Sequence, residues 1–190
     1  MRRMAADRHY NITEADVRHI HAMLSENLVS NPGEYRTDIT VPEIPREMTE
    51  LVNFINGRDY KLRPVKRAAF AHYRVMQIQP FPNFNNAVAR LIMNFILLRH
   101  HYPLTIIKSD DNQDYLDCLS KSNPIYFLQF VTRCVLSASQ SCLNRTRECL
   151  DLNLPSIKLG INHAESETHH AESEEQPNNY PVSKSVPAPH

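Results

Sequence analysis

The residues best suited to chemistry lie together in a short loop between two apolar helical segments. The loop reads Gln79-Pro80-Phe81-Pro82-Asn83-Phe84-Asn85-Asn86, and its two prolines and three asparagines cannot continue a helix. The N-terminus of the next helix exposes backbone N–H groups, which bind anions. Arg90 lies one turn into that helix, where it can reach such an anion. The same side chain can equally cap carbonyls or pair with an acid.

The histidines of the chain lie outside this loop. His72 falls on the apolar face of the preceding helix, about two turns earlier, and is predicted to be a satisfied core histidine. His19 and His21 stand two residues apart, so they do not share a helix face. We expect them on an exposed polar surface rather than at a metal. The pair His100-His101 fits the C-terminal end of a helix.

Apolar spacing and helix-start signals predict six helices that position the loop. The first is predicted over residues 14–29, opened by a capping box of Thr13 and Asp16. The fourth, residues 87–100, is apolar on nearly every face and is predicted to be the central buried helix. The others begin with a proline or with capping aspartates: Pro45 (with Gly57 as its C-terminal stop), Pro64, Asp110-Asp111 and Pro124.

Two further segments complete the organisation. Residues 35–41 are β-prone and bounded by turn signals, so they predict a short strand or flap. Beyond Pro155 the sequence turns to Glu, Ser, His, Asn and Pro, which cannot bury enough apolar surface to offset the cost of ordering. We therefore predict an N-terminal arm (1–10), an all-α domain with a short β flap (11–150) and a disordered polar and acidic tail (151–190).

Composition and charge exclude several classes of protein. The 21 basic residues balance the 21 acidic ones, so neither nucleic-acid nor membrane-surface binding is indicated. The longest apolar run, residues 91–98, falls short of the ~20 residues of a membrane span. No apolar segment follows the basic start, so no signal peptide is predicted and a cytoplasmic location is expected.

The numbers of glycines and cysteines argue against two further kinds of site. Only three glycines are present, which argues against a glycine-rich phosphate loop. The four cysteines form no C-x-x-C pair and are predicted to be buried or free thiols. Three of them, Cys134, Cys142 and Cys149, are spaced to share a helix face and are expected to pack in the core.

The loop and its flanks resemble the Fic (Fido) family, whose motif is H-P-F-x-[DE]-G-N-G-R-x-x-R. The likeness covers about residues 11–140 and extends outside the motif, through Ala71-His72-Tyr73, Arg90-Leu91-Ile92-Met93-Asn94 and Tyr102-Pro103. The pattern also resembles that of the animal Fic proteins of the endoplasmic reticulum. The resemblance implies a Fic-type helical fold and transfer of AMP from ATP to a protein hydroxyl, with ATP and Mg²⁺ as cofactors.

The resemblance also assigns roles to positions that hold unexpected residues here. Gln79 stands at the catalytic general-base position and Asn83 at the metal-binding acid. Phe84 and Asn86 replace the two glycines. Because a bulky residue at positive φ is strained, we expect the loop to change shape at Phe84, whereas asparagine tolerates that conformation. Ala87 replaces the first arginine.

The resemblance also assigns residues to nucleotide binding and to a flap; most of them are of the type usual in the family, but Asn86 is not. By resemblance, the nucleotide-binding residues are Asn85, Asn86, Arg90, Tyr115 and Asn123. The flap that would align a target chain is represented by Thr37, Asp38, Ile39 and Thr40.

With the base, the metal ligand and both glycines replaced, the sequence predicts a Fic pseudoenzyme that acts by binding. The alternative is an active or weakly active protein adenylyltransferase or deAMPylase with a rewired site, in which Asn85 and Arg90 hold phosphate. The partners implied by resemblance are an Hsp70-type chaperone, a Fic paralogue or a second copy of the chain. An anchor segment upstream would place the protein in the endoplasmic reticulum instead of the cytoplasm.

Overall fold

Six α-helices make up most of the part of the chain that the structure, a computed structural model, describes. The described residues are 7, 10–37, 43–57 and 62–150. The helices are α1 (Glu14–Ser25), α2 (Ile44–Asn56), α3 (Pro64–Ile78), α4 (Asn85–Arg99), α5 (Asn112–Ser120) and α6 (Pro124–Cys149), with a single 3₁₀ turn at Ser109–Asp111 before α5. The described ranges contain no strand, and the all-α prediction is confirmed. The predicted tail and residues 38–41 of the predicted flap lie outside the described residues.

The hairpin of α3 and α4 forms the centre of the domain. These two helices make the most extensive contact in the fold. α4 is buried around most of its circumference, as its apolar sequence predicts, and it also packs on α1. α3 packs on α2 and α6, and α5 rests on α6. The loop that carries the candidate chemistry therefore joins the two most buried helices.

Helix starts follow the local sequence signals more closely than helix ends. The capping box of α1 is present, with the Asp16 amide donating to Thr13 Oγ1 over 3.2 Å and the Thr13 amide donating to Asp16 Oδ2 over 2.7 Å. However, α1 ends at Ser25 and not at residue 29, because Asn27 takes a left-handed conformation with φ of 60°. Gly57, which follows the last residue of α2, has a φ of −56° and so needs no glycine-specific conformation.

The prediction that three cysteines of α6 pack in the core is wrong for two of them. Cys134 is buried, but Cys142 and Cys149 are exposed, because the last four turns of α6 extend past the helices that cover its first half. All four cysteines are free thiols, as predicted. None of the described helices has both the length and the apolar character that a membrane crossing requires.

Asn94 ties α4 to the extended segment that follows it. This side chain is 8% exposed, and its amide satisfies both backbone groups of one residue. The Thr105 N–H donates to Asn94 Oδ1 over 2.8 Å, and Asn94 Nδ2 donates to the Thr105 carbonyl over 2.9 Å. Asn94 thus pairs both backbone groups of Thr105, which is itself 2% exposed.

Replacing Asn94 by leucine tests this role. The Asn94→Leu substitution keeps the side-chain shape but leaves the buried N–H and C=O of Thr105 unpaired. We expect the free energy of unfolding to fall by about 2–3 kcal/mol. Urea denaturation followed by circular dichroism measures the change. Asn144→Ala, which removes an exposed amide from α6, is the control and should stay within about 0.5 kcal/mol of the parent. Equal midpoints for both variants would contradict the assignment.

Candidate functional site

Arg36 fixes the backbone at the start of the loop. Its amide donates to the Pro80 carbonyl over 2.9 Å, and its Nε donates to the Gln79 carbonyl over 2.7 Å. Its Nη2 reaches the Ile78 carbonyl at 3.3 Å. A cation at a helix C-terminus is favourable because the last carbonyls carry a partial negative charge. Gln79 ends α3 in a left-handed conformation, with φ of 45°, and its side chain is exposed.

Asn85 braces the other half of the loop. Its Oδ1 accepts the Phe81 N–H over 2.9 Å, and its Nδ2 donates to the Phe81 carbonyl over 2.7 Å. Both ends of the amide are therefore used inside the loop. The expected change of shape at Phe84 does not occur: Phe84 takes a left-handed conformation with φ of 58° and ψ of 9° directly before α4. Strain of this kind costs about 1–3 kcal/mol and persists where the surroundings impose it.

His21 supports the loop from α1, and the prediction that it is exposed is wrong. His19 is exposed, but His21 is 0% exposed. Its ring stacks on the Phe81 ring with centroids 3.9 Å apart and parallel planes. A signal for this burial was present, since His21 lies four residues after Val17 on the apolar stripe of the helix. Burial lowers the pKa of His21, and the Asn83 backbone opposes part of that change.

A buried chain of polar side chains holds the N-terminus of α4 against α3 and α5. His72 Nε2 lies 3.0 Å from the Tyr115 hydroxyl, and that hydroxyl donates to Asn86 Oδ1 over 2.9 Å. A tyrosine has one hydroxyl proton, so His72 must donate from Nε2 and carry a lone pair on Nδ1. The Nδ1 atom is buried without a hydrogen-bond partner among the described residues.

The protonation states in this chain follow from burial. Desolvation, helped by the charge of Arg90, lowers the pKa of His72 to about 3. Burial raises the pKa of Tyr115 to about 12. Both groups are therefore neutral at physiological pH, and the prediction that His72 is a satisfied core histidine is confirmed for Nε2.

Arg90 lies beside this chain of polar groups. Its guanidinium carbon is 5.2 Å from the centre of the Tyr115 ring, within the range of a cation–π contact. Its Nε is buried and has no hydrogen-bond partner within the described part of the chain. The guanidinium is therefore held against Tyr115, one turn from the start of α4.

The structure brings together four of the five residues assigned to the nucleotide. Asn85, Asn86 and Arg90 share the first turns of α4, and Tyr115 of α5 contacts two of them. Tyr115 is 0% exposed. Asn86 is helical, so its tolerance of positive φ is not used. Asn123 caps α6 instead, its Oδ1 accepting the Ile125 N–H over 3.0 Å.

The remaining predicted positions lie on the surface or outside the described residues. Asn83 is exposed in the loop, and Thr37 is exposed at the end of the segment that Arg36 fixes. Asp38, Ile39 and Thr40 lie outside the described residues.

The donor atoms of the loop do not fit Mg²⁺. This ion binds through carboxylates together with substrate phosphates, and residues 79–90 contain no carboxylate. Asn83, at the position of the expected acid, offers a neutral amide. Within the described ranges, no group of three or more His, Cys, Asp or Glu side chains is placed to hold a metal ion.

Comparisons with known proteins agree with this architecture. Residues 11–97 match the family model described as Fic/DOC family. A protein adenylyltransferase Fic of Nematostella vectensis is 34% identical over 140 residues, which cover 65% of this chain and 32% of the relative. A protein adenylyltransferase Fic of Aedes aegypti is 31% identical over 137 residues, covering 65% of this chain and 28% of the relative. The chain thus spans about a third of the length of these relatives.

Solved structures show the same fold. A Fic domain-containing signaling protein from Bacteroides thetaiotaomicron superimposes with a TM-score of 0.67 at 26% identity, covering 77% of this chain and 68% of that chain. The Fic-1 protein of Caenorhabditis elegans gives a TM-score of 0.71 at 21% identity, covering 76% of this chain and 47% of that chain. Residues 11–97 of this chain therefore match the Fic/DOC family, and the chain has the fold of the Fic-domain proteins.

Proposed function

We propose that this chain is a Fic-domain pseudoenzyme that acts by binding a protein partner and does not transfer AMP. The observation that carries the proposal is that side chains assigned to the nucleotide are already hydrogen-bonded within the fold. The Asn85 amide is used twice by Phe81, and Asn86 accepts the Tyr115 hydroxyl. A nucleotide would have to break these bonds before it could use the same atoms.

The side chain at the general-base position supports the proposal. Gln79 is a neutral amide, which cannot accept a proton from a target hydroxyl at physiological pH. General-base catalysis contributes about 10²–10⁴-fold to the rate of a reaction that needs it. The nearest imidazoles in the fold offer no substitute, since His21 and His72 are both fully buried.

The absence of carboxylates from residues 79–90 supports it further. ATP and Mg²⁺ are the cofactors that the family uses, but the loop offers no ligand of the type that Mg²⁺ prefers. The residues of the loop therefore support no catalytic step through ATP or Mg²⁺. The replacement of two loop glycines by Phe84 and Asn86 adds side chains where a phosphate cradle needs close backbone approach.

The partner is proposed by resemblance. The relatives are named protein adenylyltransferases, and enzymes of that kind recognise protein targets. We propose that this chain keeps such recognition, toward an Hsp70-type chaperone, a Fic paralogue or a second copy of itself. Thr37 and the neighbouring predicted flap residues would contribute to that surface.

A second candidate function is weak adenylyltransferase or deAMPylase activity from a rewired site. The buried, unpartnered Nε of Arg90 favours it, because an anion at the N-terminus of α4 would supply the missing acceptor. An external base would then have to replace Gln79.

Incubation with labelled ATP separates the two functions. We expect no label on candidate targets from the parent protein with Mg²⁺ or Mn²⁺, because it lacks the base and the metal ligand. A variant that restores the family motif should transfer AMP if the scaffold is intact. The restoring substitutions are Gln79→His, Asn83→Asp, Phe84→Gly, Asn86→Gly and Ala87→Arg.

A matched control keeps Gln79 and makes the other four changes. This control should label at least about 10²-fold less than the fully restored variant, since it lacks only the base. AMP transfer by the parent above that of a denatured sample would overturn the pseudoenzyme proposal.

Nucleotide binding is tested separately by thermal shift. A ligand that binds the native state raises the melting temperature in proportion to the logarithm of its concentration over Kd. For the parent chain we expect no shift with millimolar ATP. The alternative function requires an upward shift that Arg90→Ala abolishes and that Arg145→Ala, on the exposed end of α6, leaves unchanged.

A further inference from the structure

Gly33 is held on both sides by α1. Its N–H donates to His21 Nδ1 over 2.9 Å, and its carbonyl accepts Arg18 Nε over 2.8 Å. Its φ of 82° favours glycine, and an added Cβ would lie 2.9 Å from the Arg18 carbonyl oxygen. This residue therefore fixes where the segment 33–37, which leads into the predicted flap, leaves α1.

The imidazole of His21 makes its second contact through the face of the ring. It stacks on Phe81, whose own backbone is fixed by Asn85. The Tyr35 ring also lies 5.3 Å from the Phe81 ring. One imidazole thus touches both the start of the segment 33–37 and the loop 79–84.

We propose that His21 is a positioning residue that couples the segment 33–37 to the loop 79–84, and that it does so only as a neutral imidazole. The purpose of this coupling, which is to present the segment 33–37 and the loop as one partner-binding surface, rests on the proposed function. The coupling itself does not.

The hydrogen bond decides the protonation state. Nδ1 accepts the Gly33 N–H, so the proton of the neutral ring is on Nε2, a buried atom near the Asn83 backbone. A second proton on Nδ1 would set one N–H against another and place a charge in a buried site. Protonation therefore removes the bond to Gly33.

Burial is the larger cause of the lowered pKa of His21, and the Asn83 backbone opposes part of that change. The titratable and charged groups at this junction are Glu14 and Arg18 on α1 and Tyr35 and Arg36 on the segment, and the loop 79–84 carries none. Arg18 carries the charge that bonds to the same residue as His21, since its Nε donates to the Gly33 carbonyl. Glu14 is directed to Tyr35, whose pKa is raised by burial.

The pH window follows from the direction of the shift. Burial lowers the pKa of His21 in the folded state below its unfolded value of about 6.5. The stabilisation is thus fully present above about pH 6.5 and is lost as the pH falls through that value toward the folded pKa. The link from His21 to Gly33 should be intact at neutral pH and released by acid, while the hydrogen bonds of Arg36 to residues 78–80 remain.

Nuclear magnetic resonance of the full chain tests the coupling without any nucleotide or partner. Gly33 is one of only three glycines, so its amide signal is easily assigned. In a titration from about pH 7.5 to about pH 5, the Gly33 amide and the Phe81 ring should shift together with one midpoint below about 6.5. Movement of Gly33 without Phe81, or no movement of either, would overturn the proposal.

Two substitutions separate the two contacts of His21. His21→Asn places an acceptor near Nδ1 and cannot titrate, so the Gly33 amide should stay protected and lose its pH dependence. His21→Phe keeps the stacked ring but removes the acceptor, so exchange of the Gly33 amide with solvent should rise roughly fivefold.

His19→Asn, on the exposed side of the same helix, is the matched control and should leave the titration unchanged. Loss of the titration in this control would assign the effect to His19 and overturn the proposal. Because none of these readouts involves ATP or a target, AMP transfer by the parent chain would refute the proposed function and leave this inference standing.

Discussion

The chain must reverse direction between the two most buried helices, and its backbone polar groups must find partners while it does so. The loop between α3 and α4 meets this constraint with side chains from three places. At the start of the loop, Arg36 donates hydrogen bonds to three backbone carbonyls. In the middle, Asn85 pairs with both backbone groups of Phe81. His21 supports the Phe81 ring from below. These contacts pair the backbone groups of residues 78–81 with partners inside the protein.

This pairing within the protein limits which polar groups the site can offer to a ligand. In an enzyme that binds a nucleotide, some polar groups must stay available for phosphate. Here the amides of Asn85 and Asn86 are already bonded within the fold, and Tyr115 is buried. Under the proposed function, the loop serves as a surface for a protein rather than as a site for a small anion. The unpartnered Nε of Arg90 is the exception to this pattern.

Local sequence signals predicted the elements well, because each depends on few residues. The capping box at Thr13 and Asp16 opened α1, and Pro64 and Pro124 opened α3 and α6, since a proline suits the first turn wherever the helix packs. Ends were harder to predict. α1 ends at Ser25, shortly before the left-handed Asn27. Two cysteines of α6 are exposed because the end of this helix extends beyond the core. These outcomes depend on neighbours that spacing alone does not reveal.

The sequence by itself determined the all-α domain, the position of the loop and the chemistry missing from it, since a glutamine is no base and an asparagine no carboxylate in any fold. Only the tertiary structure decided how the remaining side chains are used. It buried His21 beneath Phe81, and it joined His72 to Asn86 through Tyr115. Those partners come from helices far apart in the chain, and hydrogen bonds between them form only when the helices pack.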